Sequence, residues 1–304
     1  MGAGMPQVRV WVDGHLVRPD EPALTPLDHG ITVGDGVFET AKVVDGQVFA
    51  LSRHHDRMDR SLAGLGLAPL DRDRVQEGIE AVLAMAPMPF GRLRWTVTAG
   101  PGPLGSDRGT EGTTYLVTAQ EQEPPPRTTA VAVVPWARNE KGALTGLKTT
   151  SYADNVVALA AAKRAGAAEA LLPNTAGELC EGTGSNVFVV LGDVVMTPAL
   201  TAGPLAGVTR DLTIEWLRDE GVEVVEGHLP MAVLDEADEV WITSSVRDVC
   251  AVTRIEVTGP ATTATGLELA APVVMPRSLG EEAGPTTRLA QEVFARRAAA
   301  DVDP

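Results

Sequence analysis

Lys148 is one of only four lysines in 304 residues, with Lys42, Lys141 and Lys163; arginine supplies the other 21 cationic side chains. A chain that uses arginine almost everywhere keeps lysine where a primary amine is needed. A desolvated ammonium can lose its proton and attack a carbonyl, whereas a guanidinium stays charged. Lys148 lies in Gly146-Leu147-Lys148-Thr149-Thr150-Ser151-Tyr152, just before a predicted helix start. Three further stretches stand out. Glu181 sits in Glu178-Leu179-Cys180-Glu181-Gly182-Thr183-Gly184-Ser185-Asn186-Val187-Phe188, Gly207-Val208-Thr209-Arg210 opens a predicted helix, and Thr243-Ser244-Ser245 ends a predicted strand. Taken singly, each has an ordinary reading: a surface lysine, a solvated carboxylate in a glycine turn, a helix cap, a turn.

Taken together they meet the needs of pyridoxal 5'-phosphate. Its aldehyde needs a lysine to form an imine, and its ring nitrogen needs an acidic partner that keeps the ring electron-withdrawing. Its phosphate needs backbone N–H groups at a helix N-terminus, plus hydroxyls. Val208 and Thr209 can supply amides, and Thr209 and Ser245 hydroxyls.

Composition narrows the partners. The formal charge of −16 argues against nucleic acid or an anionic membrane, so an anionic substrate must be held by local arginines. Two cysteines, Cys180 and Cys250, form neither a disulfide framework nor a zinc pattern and suit a reducing cytoplasm. No metal site is expected. No basic region followed by an apolar stretch marks a leader, and no run of about 20 apolar residues marks a membrane span.

The elements that must position these residues are mixed. Val8–Val12, Asp13-Gly14 and His15–Val17 read as strand, turn and strand; Gly36–Val44 and Gln47–Leu51 flank a second turn at Asp45-Gly46. Helices are predicted over His54–Leu65 and Asp73–Ala84, then strands over Arg92–Thr98 and Thr113–Thr118. The Gly- and Pro-rich loop Ala99–Gly112 between those strands is a candidate active-site loop. Gln120–Arg127, polar and with three prolines, reads as a stiff linker. Residues 1–122 are thus a smaller N-terminal domain and 123–304 a larger, cofactor-binding one.

Beyond the linker, Thr129–Pro135 reads as a strand. Ser151-Tyr152-Ala153-Asp154 suggests a capping box for a helix closed by Gly166. Strands are expected at Glu169–Leu172, Val187–Leu191, Val194–Met196, Val222–Val225 and Val240–Thr243, and helices over Val208–Glu220 and Thr287–Ala300.

With these motifs in order, the chain resembles the fold-type IV pyridoxal-phosphate enzymes: branched-chain and D-amino-acid aminotransferases and 4-amino-4-deoxychorismate lyases. The resemblance covers almost the whole chain. Asp28-His29-Gly30 followed by Gly34-Asp35-Gly36-Val37-Phe38-Glu39-Thr40 is similar to one family stretch, and His54-His55-Asp56-Arg57-Met58-Asp59-Arg60-Ser61 to another. The resemblance implies an α+β fold of two mixed domains of the D-amino-acid aminotransferase-like type. It also implies roles. Lys148 holds the cofactor and carries protons, Glu181 pairs with the ring nitrogen, and Arg57, Val208, Thr209 and Ser245, with Ser244 nearby, hold the phosphate. Tyr152 stands at the cofactor's phenolic oxygen. A homodimer is implied as well.

Two departures bear on the substrate. Val33 stands where relatives often carry an aromatic, which shrinks that pocket wall beside Phe38. Ala99–Gly112 lacks the Arg-x-His pair with which D-amino-acid aminotransferases hold a carboxylate. Arg94 and Arg108 are the nearest cations, followed by Arg138 and Arg247. The substrate pocket is expected in loops around 29–38, 99–112 and 247–252. The compact length and the missing Arg-x-His favour a 4-amino-4-deoxychorismate lyase; Tyr152 favours a branched-chain aminotransferase. A non-catalytic binding protein would be expected to have lost Lys148 or Glu181, and both are present.

Overall fold

A computed structural model describes residues 8–304; the expected first domain begins at residue 1, so its first seven residues lie outside the described residues. By its contacts the chain divides into two compact α+β units. One comprises the chain up to Pro124 with Leu147–Ser151 and Asp301–Pro304; the other comprises Pro125–Gly146 and Tyr152–Ala300. A single cut between 122 and 123 therefore does not describe the packing, because two short downstream segments pack into the first unit.

The first unit holds β1 (Val8–Val12), β2 (His15–Val17), the short α1 (His29–Thr32), β3 (Gly36–Val44), β4 (Gln47–Val48), α2 (Leu51–Leu65), α3 (Arg72–Ala84), β5 (Phe90–Thr98) and β6 (Thr114–Glu121). Its antiparallel sheet runs β2-β1-β6-β5-β3-β4. The period of two shows in β5, where Leu93, Trp95 and Val97 are buried while Arg92 and Arg94 are exposed. Trp11, Val37, Ala41, Val43, Leu93 and Trp95 meet Met58 and Leu62 of α2 and Val75 and Ile79 of α3 in one core. Gln47–Leu51 is not a full strand: Ala50 adopts a left-handed conformation and α2 begins at Leu51.

The second unit holds β7 (Thr128–Val133), α4 (Ala153–Arg164), β8 (Glu169–Pro173), β9 (Leu179–Gly182), β10 (Asn186–Leu191), β11 (Val194–Pro198), α5 (Val208–Asp219), β12 (Val224–Gly227), α6 (Val233–Glu236), β13 (Glu239–Ser244), β14 (Asp248–Val257) and α7 (Pro285–Ala300). Its main sheet runs β12-β11-β10-β13-β14-β7-β8-β9 and mixes parallel and antiparallel pairs. Val187, Val189, Val240 and Ile242 belong to one core, while on the alternate positions Phe188 stacks on Trp241 at 5.2 Å.

Three local expectations fail here. Residues 248–252 are not loop but the start of β14, paired between β13 and β7. Glu181 lies on β9, beside Leu172 of β8, rather than in a turn. The capping box at Ser151 is not formed: α4 has no side-chain cap, and Ser151 Oγ instead donates to Gly34 O. In each case a tertiary partner outcompetes the local signal.

Acidification should weaken the first unit. Buried Glu39 accepts from His54 Nδ1 at 2.7 Å and from Arg57. Burial holds His54 below its ordinary pKa against the pull of Glu39, so it is neutral and donates. Burial would raise Glu39, but Arg57 and His54 outweigh it and hold the carboxylate well below its usual range. Below pH ~6.5 the unfolded chain takes up a proton that folded His54 refuses. Stability is therefore expected to fall with pH from there, by at most about 1.4 kcal/mol per pH unit per such histidine. A second decline follows below pH ~4.5 as Glu39 protonates in the unfolded chain. Thermal melts from pH 8 to 5 check this. In His54→Asn the slope should be shallower, and the remainder belongs to His55, which burial also lowers.

Candidate active site

Lys148 is set in the first unit by backbone bonds. Phe38 N donates to Lys148 O at 3.0 Å, Thr150 N to Gly36 O at 2.8 Å, and Lys148 N to Ser61 Oγ at 3.1 Å. The Gly34-Asp35-Gly36 turn permits this approach. Gly34 has φ +70°, and a Cβ there would lie 2.7 Å from Ser151 Oγ; one on Gly36 would lie 2.9 Å from Val97 O and 3.2 Å from Thr150 Oγ1. Lys148 Nζ stands 4.2 Å from the centre of the Phe38 ring, and the Arg94 guanidinium stands 3.6 Å from the same centre. The other lysines differ: Lys42 is buried over Phe49, Lys141 is 83% exposed and Lys163 lies on an exposed helix face.

Arg57 is buried with its Nε and Nη2 on the two oxygens of Glu39. Arg108 is committed elsewhere. Its Nε and Nη2 bind Asp35 at 2.6 and 2.8 Å, and its other contacts go to Leu65 O and Gly66 O. It braces the 99–112 loop against the Asp35 turn and the end of α2 rather than presenting a clamp for a carboxylate. Val33 is 44% exposed at the end of α1, away from the burial expected of a pocket wall.

In the second unit, Glu181 Oε1 lies 3.0 Å from Arg138 Nε, and Oε2 accepts from Leu205 N at 2.9 Å. The first contact is an ion pair whose angle leaves the Nε–H without a hydrogen bond. Tyr152 OH donates to Thr183 O at 3.0 Å, and Asn155 Nδ2 donates to the same oxygen at 2.6 Å. Burial and the Glu181 charge raise the phenol's pKa, so it stays protonated. Thr183 is held in turn by Glu169, a buried carboxylate that also accepts from Ser185 Oγ and pairs with Arg247. Arg247 Nε reaches Ser244 Oγ at 3.2 Å.

Sheet register gathers the remaining candidates. Asn186 opens β10 opposite Thr243 near the end of β13, and its Nδ2 donates to Leu205 O, just before α5. The α5 N-terminus, with Val208 and Thr209 both buried, is therefore tied to the sheet end that carries Ser244 and half-buried Ser245. Thr243 Oγ1 at that end is buried without a hydrogen-bond partner. A Cβ on Gly207 would overlap Asn186 Oδ1. Gly207→Ala is expected to cost about 1–3 kcal/mol of stability by overpacking, and to weaken anion binding at the helix start; melting and phosphate titration check both.

Sequence reasoning missed Glu39, His54, Asn155, Glu169 and Asn186. Glu39 left a signal: a carboxylate inside the apolar run Val37–Val44 needs a buried cation. Glu169 opens an equally apolar strand. Asn155 and Asn186 left none, because their partners are distant backbone carbonyls.

Residues 36–255 match the family model described as amino-transferase class IV. A Methanocaldococcus jannaschii protein that carries the provisional name branched-chain-amino-acid aminotransferase is 32% identical over 82% of this chain and 88% of its own length. The aminodeoxychorismate lyase of Bacillus subtilis is 31% identical over 81% and 86%. Among solved structures, a fold IV transaminase from Curtobacterium pusillum superposes with a TM-score of 0.77 at 25% identity, covering 95% of this chain and 98% of that one. With the model spanning well over half of its residues, the chain belongs to the class IV aminotransferase family.

Proposed function

We propose that this enzyme is a pyridoxal-phosphate-dependent lyase that converts 4-amino-4-deoxychorismate to 4-aminobenzoate and pyruvate. The residues present fit the cofactor. A carboxylate aligned by Arg138 and the Leu205 amide suits a ring N–H, and a helix N-terminus beside the unpartnered Thr243 hydroxyl suits a phosphate. Bound pyridoxal phosphate supplies an aldehyde that captures the substrate amine and a ring that draws electrons from the adjoining carbon.

The chain's own residues supply the rest. Lys148 anchors the cofactor and moves a proton at the substrate carbon that bears nitrogen. Glu181, paired with Arg138, would hold the proton on the ring nitrogen. Arg57, Val208, Thr209 and Ser245, with Ser244, bind phosphate. Tyr152 orients toward the phenolic oxygen.

The observation that carries the lyase reading is the stack of Arg94 and Lys148 on Phe38. It sets Lys148 and a second cation against one aromatic ring, a charge pattern that favours a dicarboxylate such as 4-amino-4-deoxychorismate over an aliphatic side chain. Arg108, the sole cation of the 99–112 loop, is held by Asp35 and adds no second clamp. The second reading is an aminotransferase for branched-chain amino acids, D-amino acids or amines. Tyr152 supports it, as does the 32% identity to the Methanocaldococcus protein. We further place the enzyme in the cytoplasm as a homodimer. Two buried free cysteines support a reducing compartment, and among the described residues no helix is long and apolar enough to cross a membrane.

The amino-group balance tests the choice. With 4-amino-4-deoxychorismate and no keto acid, many equivalents of pyruvate and 4-aminobenzoate should form per subunit. A single equivalent of turnover that resumes only when a keto acid is added would replace the lyase by the aminotransferase.

A further inference from the structure

We propose that Glu39 is a positioning residue for the cofactor's phosphate: it fixes the Arg57 guanidinium in its binding orientation before the ligand arrives. The inference rests on the pyridoxal-phosphate reading above and on Arg57 as a phosphate ligand.

Glu39 has no exposed surface, yet it lies on β3 between Val37 and Ala41, two residues of the apolar core. A carboxylate is retained there only with strong partners. Arg57 provides them side-on, Nε to Oε1 at 2.8 Å and Nη2 to Oε2 at 2.6 Å. A planar fork held by two parallel bonds cannot swing about its last torsions, as a single bond would allow. The third partner, His54, is neutral, so it steadies Oε2 without competing with Arg57 as a cation. Trp95, opposite Glu39 on β5, closes the other side with its ring 5.8 Å from that of His54.

The same helix links this device to the amine. His54, Arg57 and Ser61 recur on one face of α2, and the Ser61 hydroxyl accepts from Lys148 N. One rigid helix face therefore sets both a cationic fork and the backbone of the lysine. Ordering a long arginine side chain in advance removes that cost from ligand binding.

The test compares pyridoxal phosphate with pyridoxal, which keeps the aldehyde and lacks the phosphate, on apo wild type, Glu39→Gln and Arg57→Gln. Glu39→Gln should weaken pyridoxal phosphate roughly tenfold or more and leave pyridoxal unchanged. Equal weakening of both ligands marks a merely structural role and overturns the inference. If Arg57→Gln weakens pyridoxal phosphate and Glu39→Gln does not, the inference falls while the phosphate role of Arg57 stands. If Arg57→Gln weakens neither ligand, that role itself fails, and the inference with it. Should Glu39→Gln not fold, nitrogen-15 NMR of wild-type apoprotein decides, with the Arg57 Nε–H signal assigned from Arg57→Lys. A sharp, slowly exchanging signal before any ligand is expected; one that sharpens only on adding pyridoxal phosphate overturns the inference.

Discussion

Lys148→Ala protein should purify colourless, yield no borohydride-fixed cofactor adduct by mass spectrometry, and lose at least about 10²–10⁴-fold in turnover, the range for one positioned proton carrier. The loss should be larger if covalent anchoring contributes separately. The expectation follows from where the amine is held. Backbone bonds through Phe38 and Ser61 fix Lys148 on both of its peptide groups, and its ammonium rests over an aromatic face. None of these contacts depends on the side chain beyond the ring stacking, so the alanine variant should fold and melt near wild type. Lys148→Arg separates charge from nucleophilicity: it keeps a cation over Phe38 but cannot form the bond. A coloured, borohydride-trappable Lys148→Ala would assign the anchor to another lysine; Lys42 is the buried one, whereas Lys141 and Lys163 are exposed.

Glu181→Gln should retain cofactor but lose about 10²–10³-fold in kcat, the scale for removing one preorganised electrostatic partner. Glutamine keeps the shape and can still accept from Leu205 N. It cannot balance Arg138, and it cannot stabilise a proton on a ring nitrogen. The variant should also lose about 1–3 kcal/mol of stability, because Arg138, only 22% exposed, loses its carboxylate. Arg138→Met in the Glu181→Gln background should recover part of that stability without recovering turnover. Recovery of turnover instead would mean that Glu181 acts only to neutralise Arg138.

Much of the fold was legible because most segments follow one strong local signal. The Asp13-Gly14 and Asp45-Gly46 turns, the periodic α2 and α5, and the apolar β10 and β13 are found within a few residues of their expected bounds. The failures share a cause. Residues 47–51 alternate like a strand, but the left-handed Ala50, whose amide donates to Val302 O from the chain's far end, starts a helix there. Residues 248–252 carry polar and charged neighbours that read as loop, yet β7 and β13 supply ladder partners on both edges. Local propensity is worth a few tenths of a kcal/mol per residue, and a paired central strand overrides it.

The sequence by itself carried the family: a scarce lysine, a carboxylate, a helix start and hydroxyls stand in an order that resembles it, and residues 36–255 match its model. Only the tertiary structure decided which partners hold those groups. It placed Lys148 with the first unit rather than the second, tied Arg108 to Asp35, and buried Glu39 with Arg57 and Glu169 with Arg247. The physical reason is sequence distance. A residue type declares what bond it can make, but Arg247 and Glu169 are 78 positions apart and Lys148 and Ser61 are 87 apart. Only packing of the whole chain brings such pairs within hydrogen-bond reach.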